Sequence, residues 1–333
     1  MSFPEERRTV HLNSKKQGEN VSYLDSVRLL TGNANHPLAE KISANMGIPL
    51  SAAEVSRFSD GEVVVQIKEN IRGCDVFIIQ STNPPAENLM ELLIMMDAAR
   101  RASASRITAV IPYFGYGRQD RKDKPRVAIT AKLIANMIVA AGANRVLLMD
   151  LHASQIQGFF DIPSDHLYSS RIFNSYFMMK PMPDGVAVTP DVGSVKMARA
   201  FAKQLNYSLA IVDKRRPGPN MSEVMNIIGD IKDRHVVIRD DMVDTAGTLV
   251  QAADALVQAG AKEVYACCTH GVFSGDSYER IEKSPIKMLL VSDSINFDSG
   301  GRCSKIEVLS MSELFAEAIK RIAGGESISS LFD

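Results

Sequence analysis

Short apolar runs alternate with amphipathic stretches along most of this 333-residue chain. Runs such as Val76-Phe77-Ile78-Ile79, Ile107-Thr108-Ala109-Val110, Val146-Leu147-Leu148, Val236-Val237-Ile238 and Val264-Tyr265-Ala266-Cys267 are near-continuously hydrophobic. Strands of that kind are buried on both faces, which predicts parallel sheets covered by helices on either side. The segment Asn88 to Ala102 shows the helical counterpart: Leu89, Leu92, Leu93, Met96 and Ala99 fall on one stripe. Its methionines read as core filling rather than ligands.

The pattern repeats once, at an offset of roughly 160 residues, a whole-domain period. Leu29-Leu30-Thr31-Gly32 and Ala187-Val188-Thr189-Pro190 both precede helical stretches. Ile71 to Ile79 resembles Ile231 to Arg239, and Ala104 to Val110 matches Ala261 to Cys267. Arg145-Val146-Leu147-Leu148 is expected to pair with Lys305-Ile306-Glu307-Val308. The expected organisation is an N-terminal extension over 1–24, one domain over 25–168 and a second over 169–333. Residues 1–24 are polar and unpatterned, so the extension is expected to be mobile.

The halves differ most at one place. The second has Asp240-Asp241-Met242-Val243-Asp244-Thr245-Ala246-Gly247-Thr248; the first has Gln80-Ser81-Thr82-Asn83-Pro84-Pro85. In the second half a strand ends in two carboxylates, passes a turn of small and hydroxylated residues, and enters a helix over Leu249 to Gln258. A helix start offers unpaired amides and the positive end of its dipole to an anion. Gly247 is expected to let the backbone approach closely, with Thr245 and Thr248 donating hydroxyls. Adjacent carboxylates repel a bare phosphate, so Asp240 and Asp241 suit sugar hydroxyls or Mg²⁺. Together they suggest a ribose phosphate. The plainer reading is helix capping, but a cap needs one Asp, not three in five positions. The first half is expected to have kept the scaffold and lost this site.

Composition removes several alternatives. Formal net charge is −1, which gives no global field for nucleic acid or membrane surfaces. No apolar run reaches membrane-spanning length, and the N-terminus lacks the apolar core of a secretory signal. Cys74, Cys267, Cys268 and Cys303 show neither metal-ligand nor redox spacing. A cytoplasmic protein is expected. No G-x-x-x-x-G-K-[ST] sequence and no G-x-S-x-G elbow occur.

Other clusters sit at expected strand ends. Arg118 to Arg126 holds five cations in nine residues, behind Tyr113-Phe114-Gly115-Tyr116. That suits a polyphosphate with an attached base, although a solvated loop is the simpler alternative. His152, in Asp150-Leu151-His152, is a metal or phosphate contact or a structural histidine. Asp191, in Thr189-Pro190-Asp191-Val192-Gly193-Ser194, is a metal ligand or an N-cap. Lys214-Arg215-Arg216 leads into Pro217-Gly218-Pro219, either a catalytic lid or an exposed basic turn.

Together these stretches resemble ribose-phosphate pyrophosphokinases, from about residue 27 to 333. The resemblance lies in Phe58-Ser59-Asp60-Gly61-Glu62, Tyr116 to Asp123, Asp150 to Asp161 and Asp240 to Thr248. It implies an α/β fold of two duplicated phosphoribosyltransferase-like domains, each a mostly parallel sheet flanked by helices. It implies transfer of the diphosphoryl group of ATP to the 1-hydroxyl of ribose 5-phosphate, with Mg²⁺. Carried over by position, Asp240 and Asp241 contact the ribose, and Asp244, Thr245, Ala246, Gly247 and Thr248 cradle the 5-phosphate. His152 and Asp191 become metal-associated. Arg118, Gln119 and Asp123 hold ATP, Lys214 and Arg216 are the catalytic cations, and Phe58, Asp60 and Glu62 reach a neighbouring subunit's ATP site. A homo-oligomer, commonly a hexamer, follows. The phosphate-dependent, ADP-inhibited class has an effector site whose matching positions are Arg126, Ser154, Gln157, Asp165, Ser327 and Ser329.

Four positions depart from the pattern. Ser194 stands for a usual Gly, where a Cβ is expected to crowd the turn, and Arg239 for an apolar residue, where the cation pairs with a carboxylate or points outward. His166 often corresponds to Asn and Asp276 to Pro. The competing readings are a phosphoribosyltransferase, which has no use for the first half, and a catalytically weak regulatory subunit, which the intact motifs oppose.

Overall fold

The computed structural model describes residues 23–190, 193–215, 224–298 and 300–331. Residues 1–22 of the expected extension lie outside them. Tyr23–Ser26 form a 3-10 turn, with Leu24 packed on the core. Tyr23 and Leu24, expected in the extension, therefore belong to the folded body.

Among the described residues, the near-continuous apolar runs form two separate sheets. The first holds β1 (Val27–Thr31), β4 (Asp75–Ile79), β5 (Arg106–Ile111), β6 (Arg145–Met149) and β7 (Ser164–Leu167), in that spatial order and all parallel. The second places β8 (Val186–Thr189), β11 (His235–Val243), β12 (Glu263–Gly271), β13 (Ile286–Ser292) and β14 (Ile306–Leu309) in the same order, again parallel. Parallel neighbours need crossovers, and helices supply most of them: α1 (His36–Met46), α2 (Glu87–Arg101) and α3 (Thr130–Ala141) in the first half, α5 (Val195–Leu205), α6 (Gly247–Gln258) and α7 (Ser277–Lys283) in the second. The helices α4 (Ser170–Met179) and α8 (Ser312–Gly324) follow the last strand of each half. The stripe expected over Asn88 to Ala102 is α2, with Leu89, Leu92, Met96 and Ala99 buried. Each half also carries a hairpin: β2 (Ala53–Arg57) with β3 (Val63–Ile67), and β9 (Ser208–Arg215) with β10 (Val224–Ile228). The first hairpin is a separate two-stranded sheet; the second extends the edge at β8.

The shared order establishes the duplication and corrects its last pairing. Position in the sheet matches β6 with β13 and β7 with β14, so Arg145–Leu148 corresponds to the β13 strand, not to Lys305–Val308. The offset shrinks chiefly because 18 residues (112–129) separate β5 from α3 where only 5 (272–276) separate β12 from α7, and also because α7 has 7 residues where α3 has 12. A constant offset therefore overshoots by one strand.

The halves also exchange their last helices. The α4 helix packs on α5, and α8 packs on α1. Rings of Phe177 and Phe201 meet edge to face at 5.6 Å. A shared core results, joining Leu29, Leu38 and Ile42 to Phe173, Phe201, Phe315 and Ile319. Each fully buried large side chain there contributes about 1.5–3 kcal/mol of transfer free energy. This packing holds the C-terminal ends of β6 and β11 against each other.

Candidate active site

The strand β11 ends at the turn Asp244-Thr245-Ala246, and α6 begins at Gly247. The left-handed residue of that turn is Ala246, at φ +61°, not Gly247. Gly247 instead opens the helix, and a Cβ there would find no heavy atom nearer than 3.7 Å. Its lack of a side chain leaves the cradle open rather than relieving strain. No side chain caps α6, so its first amides remain for an anion. Arg280, from α7, donates to the Thr245 carbonyl at 3.1 Å and sets a cation beside the turn. No sequence motif marks Arg280.

Before the turn stand the two carboxylates. Asp240 Oδ1 accepts from the Asp241 amide at 2.9 Å and from the Ser194 hydroxyl at 3.0 Å. Ser194 precedes α5 and makes no capping bond. Its hydroxyl thus serves the acidic pair, where crowding of the turn was expected. Asp241 is buried, and its Oδ2 accepts from Nδ1 of the half-buried His152 at 2.8 Å. His152 follows β6, so this contact joins the two halves.

The contact shifts both groups. The hydrogen bond to Asp241 raises the His152 pKa; burial opposes it, and the charges of Asp241, Asp120 and Asp240 add to it. Burial resists ionisation of Asp241, but the hydrogen bond and charge of His152, with lesser help from Asp240 and His270, outweigh it and hold the carboxyl below its usual range. A raised histidine pKa stabilises the fold fully below about pH 6.5, and that contribution is lost as pH rises through the folded value. A lowered Asp pKa stabilises above about pH 3.9 and is lost as pH falls through the folded value. The melting-temperature gap between the ligand-free protein and His152→Ala should be widest between about pH 4 and 6.5 and should narrow by about pH 8. A gap independent of pH would contradict the ion pair.

The cationic loop after β5 approaches the same place. Arg118 pairs with Asp244 Oδ2 at 2.7 Å, bridging the halves. Gln119 bonds Thr130 at the start of α3, Gln155 donates to Asp120 at 2.7 Å, and Asp123 and Arg126 are exposed. Phe58, Asp60 and Glu62 form the exposed tip of the β2–β3 hairpin, where Phe58 N donates to the Glu62 carbonyl at 2.9 Å. Lys214, expected in an irregular segment, lies within β9 opposite Met225. Its side chain, Arg216 and Asp191 lie outside the described residues.

Four of the expected effector residues share a cavity of about 530 Å³: Gln157, Asp165, Ser327 and Ser329, with Arg106, Arg145 and His166. Arg145 pairs with Asp165, and the Ser327 and Ser329 hydroxyls are 3.0 Å apart. Ser154 borders this group, its carbonyl accepting from Gln157 at 3.0 Å. Arg126 does not line the cavity.

In the first half, the place of the acidic pair is filled. Gln80 is fully buried, bonding Glu91 Oε2 at 2.8 Å and the Ala34 amide at 3.1 Å. Ser81, at the place of Asp241, donates to the Ser294 carbonyl at 2.6 Å, an uncharged contact between the halves. Cys267 and Cys268 are fully buried; burial pushes the Cys267 thiol up to about 12, so neither is a thiolate at neutral pH.

Comparison with known proteins agrees with this arrangement. Residues 27–142 match the family model described as the N-terminal domain of ribose phosphate pyrophosphokinase, and residues 216–333 match the phosphoribosyl synthetase-associated domain. A ribose-phosphate pyrophosphokinase of Chlorobaculum tepidum is 58% identical over 92% of this chain and 95% of its own length. One from Clostridium tetani is 57% identical over 92% and 98%. The crystal structure of phosphoribosylpyrophosphate synthetase from Mycobacterium smegmatis superposes with a TM-score of 0.85 at 36% identity, covering 90% of this chain and 99% of that one. The duplicated sheets, the acidic strand end over a helix N-terminus and these relatives agree: the chain belongs to the ribose-phosphate pyrophosphokinase family.

Proposed function

We propose that this protein transfers the diphosphoryl group of ATP to the 1-hydroxyl of ribose 5-phosphate, giving 5-phosphoribosyl 1-pyrophosphate and AMP. The observation that carries the reading is the 2.8 Å contact of His152 with Asp241, which brings the end of one half's strand onto the acidic pair of the other. A phosphoribosyltransferase has no use for the first half. In this reading, residues 25–168 serve ATP and residues 169–333 serve ribose 5-phosphate. The amides and hydroxyls of Asp244–Thr248 hold the 5-phosphate, with Arg280 adding charge. Asp240 and Asp241 accept from the ribose hydroxyls and orient O1. Arg118, Gln119 and Asp123 hold the polyphosphate, and Phe58, Asp60 and Glu62 complete the ATP site of a neighbouring protomer in a homo-oligomer, a hexamer. The sugar O1 loses its proton to solvent and forms a bond to the β-phosphorus while the bond from that phosphorus to the α–β bridging oxygen breaks, and AMP leaves with the electron pair. Lys214 and Arg216 balance the charge that develops there.

The donor chemistry fits Mg²⁺. Asp240 and Asp241 offer hard oxygens, and Nδ1–H of His152 points to a carboxylate, which leaves Nε2 as the ring's lone-pair donor. Among the described residues no three His, Cys, Asp or Glu side chains form a closed cage, as suits an ion that keeps substrate oxygens in its shell. His152 and Asp191 would hold it, and it supplies neutralisation of the polyphosphate charge. The 530 Å³ cavity, with its arginines, is where phosphate or ADP would act as effector. No helix among the described residues is long and apolar enough to cross a membrane; a cytoplasmic site of action is proposed.

Formation of AMP from ATP that depends on ribose 5-phosphate, followed by chromatography, tests the reading. Hydrolysis of ATP regardless of the sugar, or no AMP at all, would overturn it. The alternative of a weak regulatory subunit rested partly on Ser194. Ser194→Gly removes the bond to Asp240 and frees the turn's backbone, opposing effects worth on the order of 1 kcal/mol each. The expected change in kcat/KM is below about tenfold. A hundredfold rise would show that the natural turn is impaired.

A further inference from the structure

Arg239 is fully buried one residue before the acidic pair, and nothing in the phosphate-binding pattern calls for a cation there. At the same place in the duplicated half stands Ile79, also buried. The Arg239 side chain reaches out of its own half. Its Nη2 lies 2.8 Å from Ser169 Oγ, 3.2 Å from Thr269 Oγ1 and 3.4 Å from Asp150 Oδ2. Nη1 donates to the carbonyls of Asp240 and Cys267, and the guanidinium lies 4.8 Å from the centre of the Phe173 ring. Nε has no acceptor among the described residues.

Its partner is the corner at which β6 turns toward His152. Asp150 is buried at φ +35°. Its carboxylate also accepts from Thr269 Oγ1 at 2.5 Å and from the Ser169 amide at 3.2 Å. The next amide, of Leu151, donates to His166 Nε2 at 2.9 Å. The Asp150 carbonyl accepts from His270 Nε2 at 3.1 Å, and burial keeps the His270 ring neutral. Apart from Ser169, just before α4, the groups that grip Asp150 come from β11 and β12.

A buried ion pair is a poor device for stability alone, since well-packed apolar side chains often do as well. The duplicate shows this within the same chain: its counterpart of Arg239 is the apolar Ile79, and Asp293, which the register puts at the place of Asp150, pairs instead with Lys41 of α1 at 3.0 Å, at an interface that still packs. Among the described residues, a buried arginine reaches the corner carboxylate where the strand ends carry His152 and Asp240-Asp241, and not at the duplicate corner. We propose that Arg239 is a positioning residue: it keys the Asp150 corner onto β11 and so sets the reach between His152, two residues beyond Asp150, and the carboxylates one and two residues beyond Arg239. The inference rests on the reaction proposed above.

Steady-state kinetics of the full chain test it, with Arg239→Met, Arg239→Lys, Asp150→Asn and the double variant Arg239→Met/Asp150→Asn. Arg239→Met should raise KM for ribose 5-phosphate and lower kcat, each about tenfold, with KM for ATP within about twofold. Arg239→Lys should recover most of the loss, because the charge returns although the fork does not. The double variant should lose less than the product of the two single losses, since both act through one contact. Unchanged kinetics in Arg239→Met, equal rises in both KM values, or a multiplicative double variant would overturn the inference. Should Arg239→Met not fold, Ser169→Ala, which removes the hydroxyl bridging the pair, must show the same selective rise; unaltered kinetics there would overturn it equally. If the natural protein forms no AMP, the functional reading fails first. Calorimetric affinity for ribose 5-phosphate, unchanged in Arg239→Met, would then overturn the positioning role separately.

Discussion

Lys214→Ala is expected to lower kcat by at least about 100-fold with little change in KM for ATP. The register of the second sheet gives the reason. Ile211 pairs with Thr189, the last residue of β8, and Lys214 comes three residues later (214 − 211) on β9. At about 3.3 Å per residue, Lys214 stands about 10 Å beyond the end of β8. That is outside the carboxyl ends of the strands, where open α/β sheets bind ligands. In the proposed role, a cation there meets charge that develops during transfer more than charge already present in bound ATP. Such a cation acts on kcat rather than on binding. A large rise in KM at near-normal kcat would show that Lys214 only holds ATP.

Asp241→Asn should weaken ribose 5-phosphate binding by at least about tenfold and leave ATP affinity within about twofold. The carboxylate is buried, accepts from His152 and follows the strand that leads into the phosphate turn. Removing its charge deprives sugar hydroxyls of a charged acceptor, worth about 1.5–3 kcal/mol. The groups proposed for ATP sit mainly on the other half, where the equivalent position is the uncharged Ser81. Titration calorimetry with each ligand separates the two affinities. Equal loss of both would contradict the division of labour between the halves.

Much of this arrangement was legible in the chain itself. Continuous apolar runs mark the parallel strands because burial on both faces leaves no room for polar alternation. The acidic strand end was legible because three carboxylates in five positions exceed the needs of capping. The exchange of α4 and α8 was not, since each stripe shows that a face is buried but not against which helix. The match of β6 to β13 was missed because a short connection and a short α7 shrink the repeat there. Arg239 stood out as a cation at a usually apolar position, expected to pair with a carboxylate or point outward, and it does pair with one. That partner lies 89 residues away, as the partner of Arg280 lies 35 away, and no local pattern records contacts between distant segments. The cavity shared by Gln157, Asp165, Ser327 and Ser329 joins segments from opposite ends of the chain in the same way.

The most direct test of the central claim follows atoms rather than rates. The protein is incubated with Mg²⁺, ATP and ribose 5-phosphate that carries ¹⁸O at the 1-hydroxyl, and the products are separated and read by ³¹P NMR and mass spectrometry. The expected result is unlabelled AMP and a sugar diphosphate that keeps ¹⁸O between C1 and the phosphorus that was β in ATP. Formation of ADP, or a sugar diphosphate without ¹⁸O in that bridge, would contradict diphosphoryl transfer to O1.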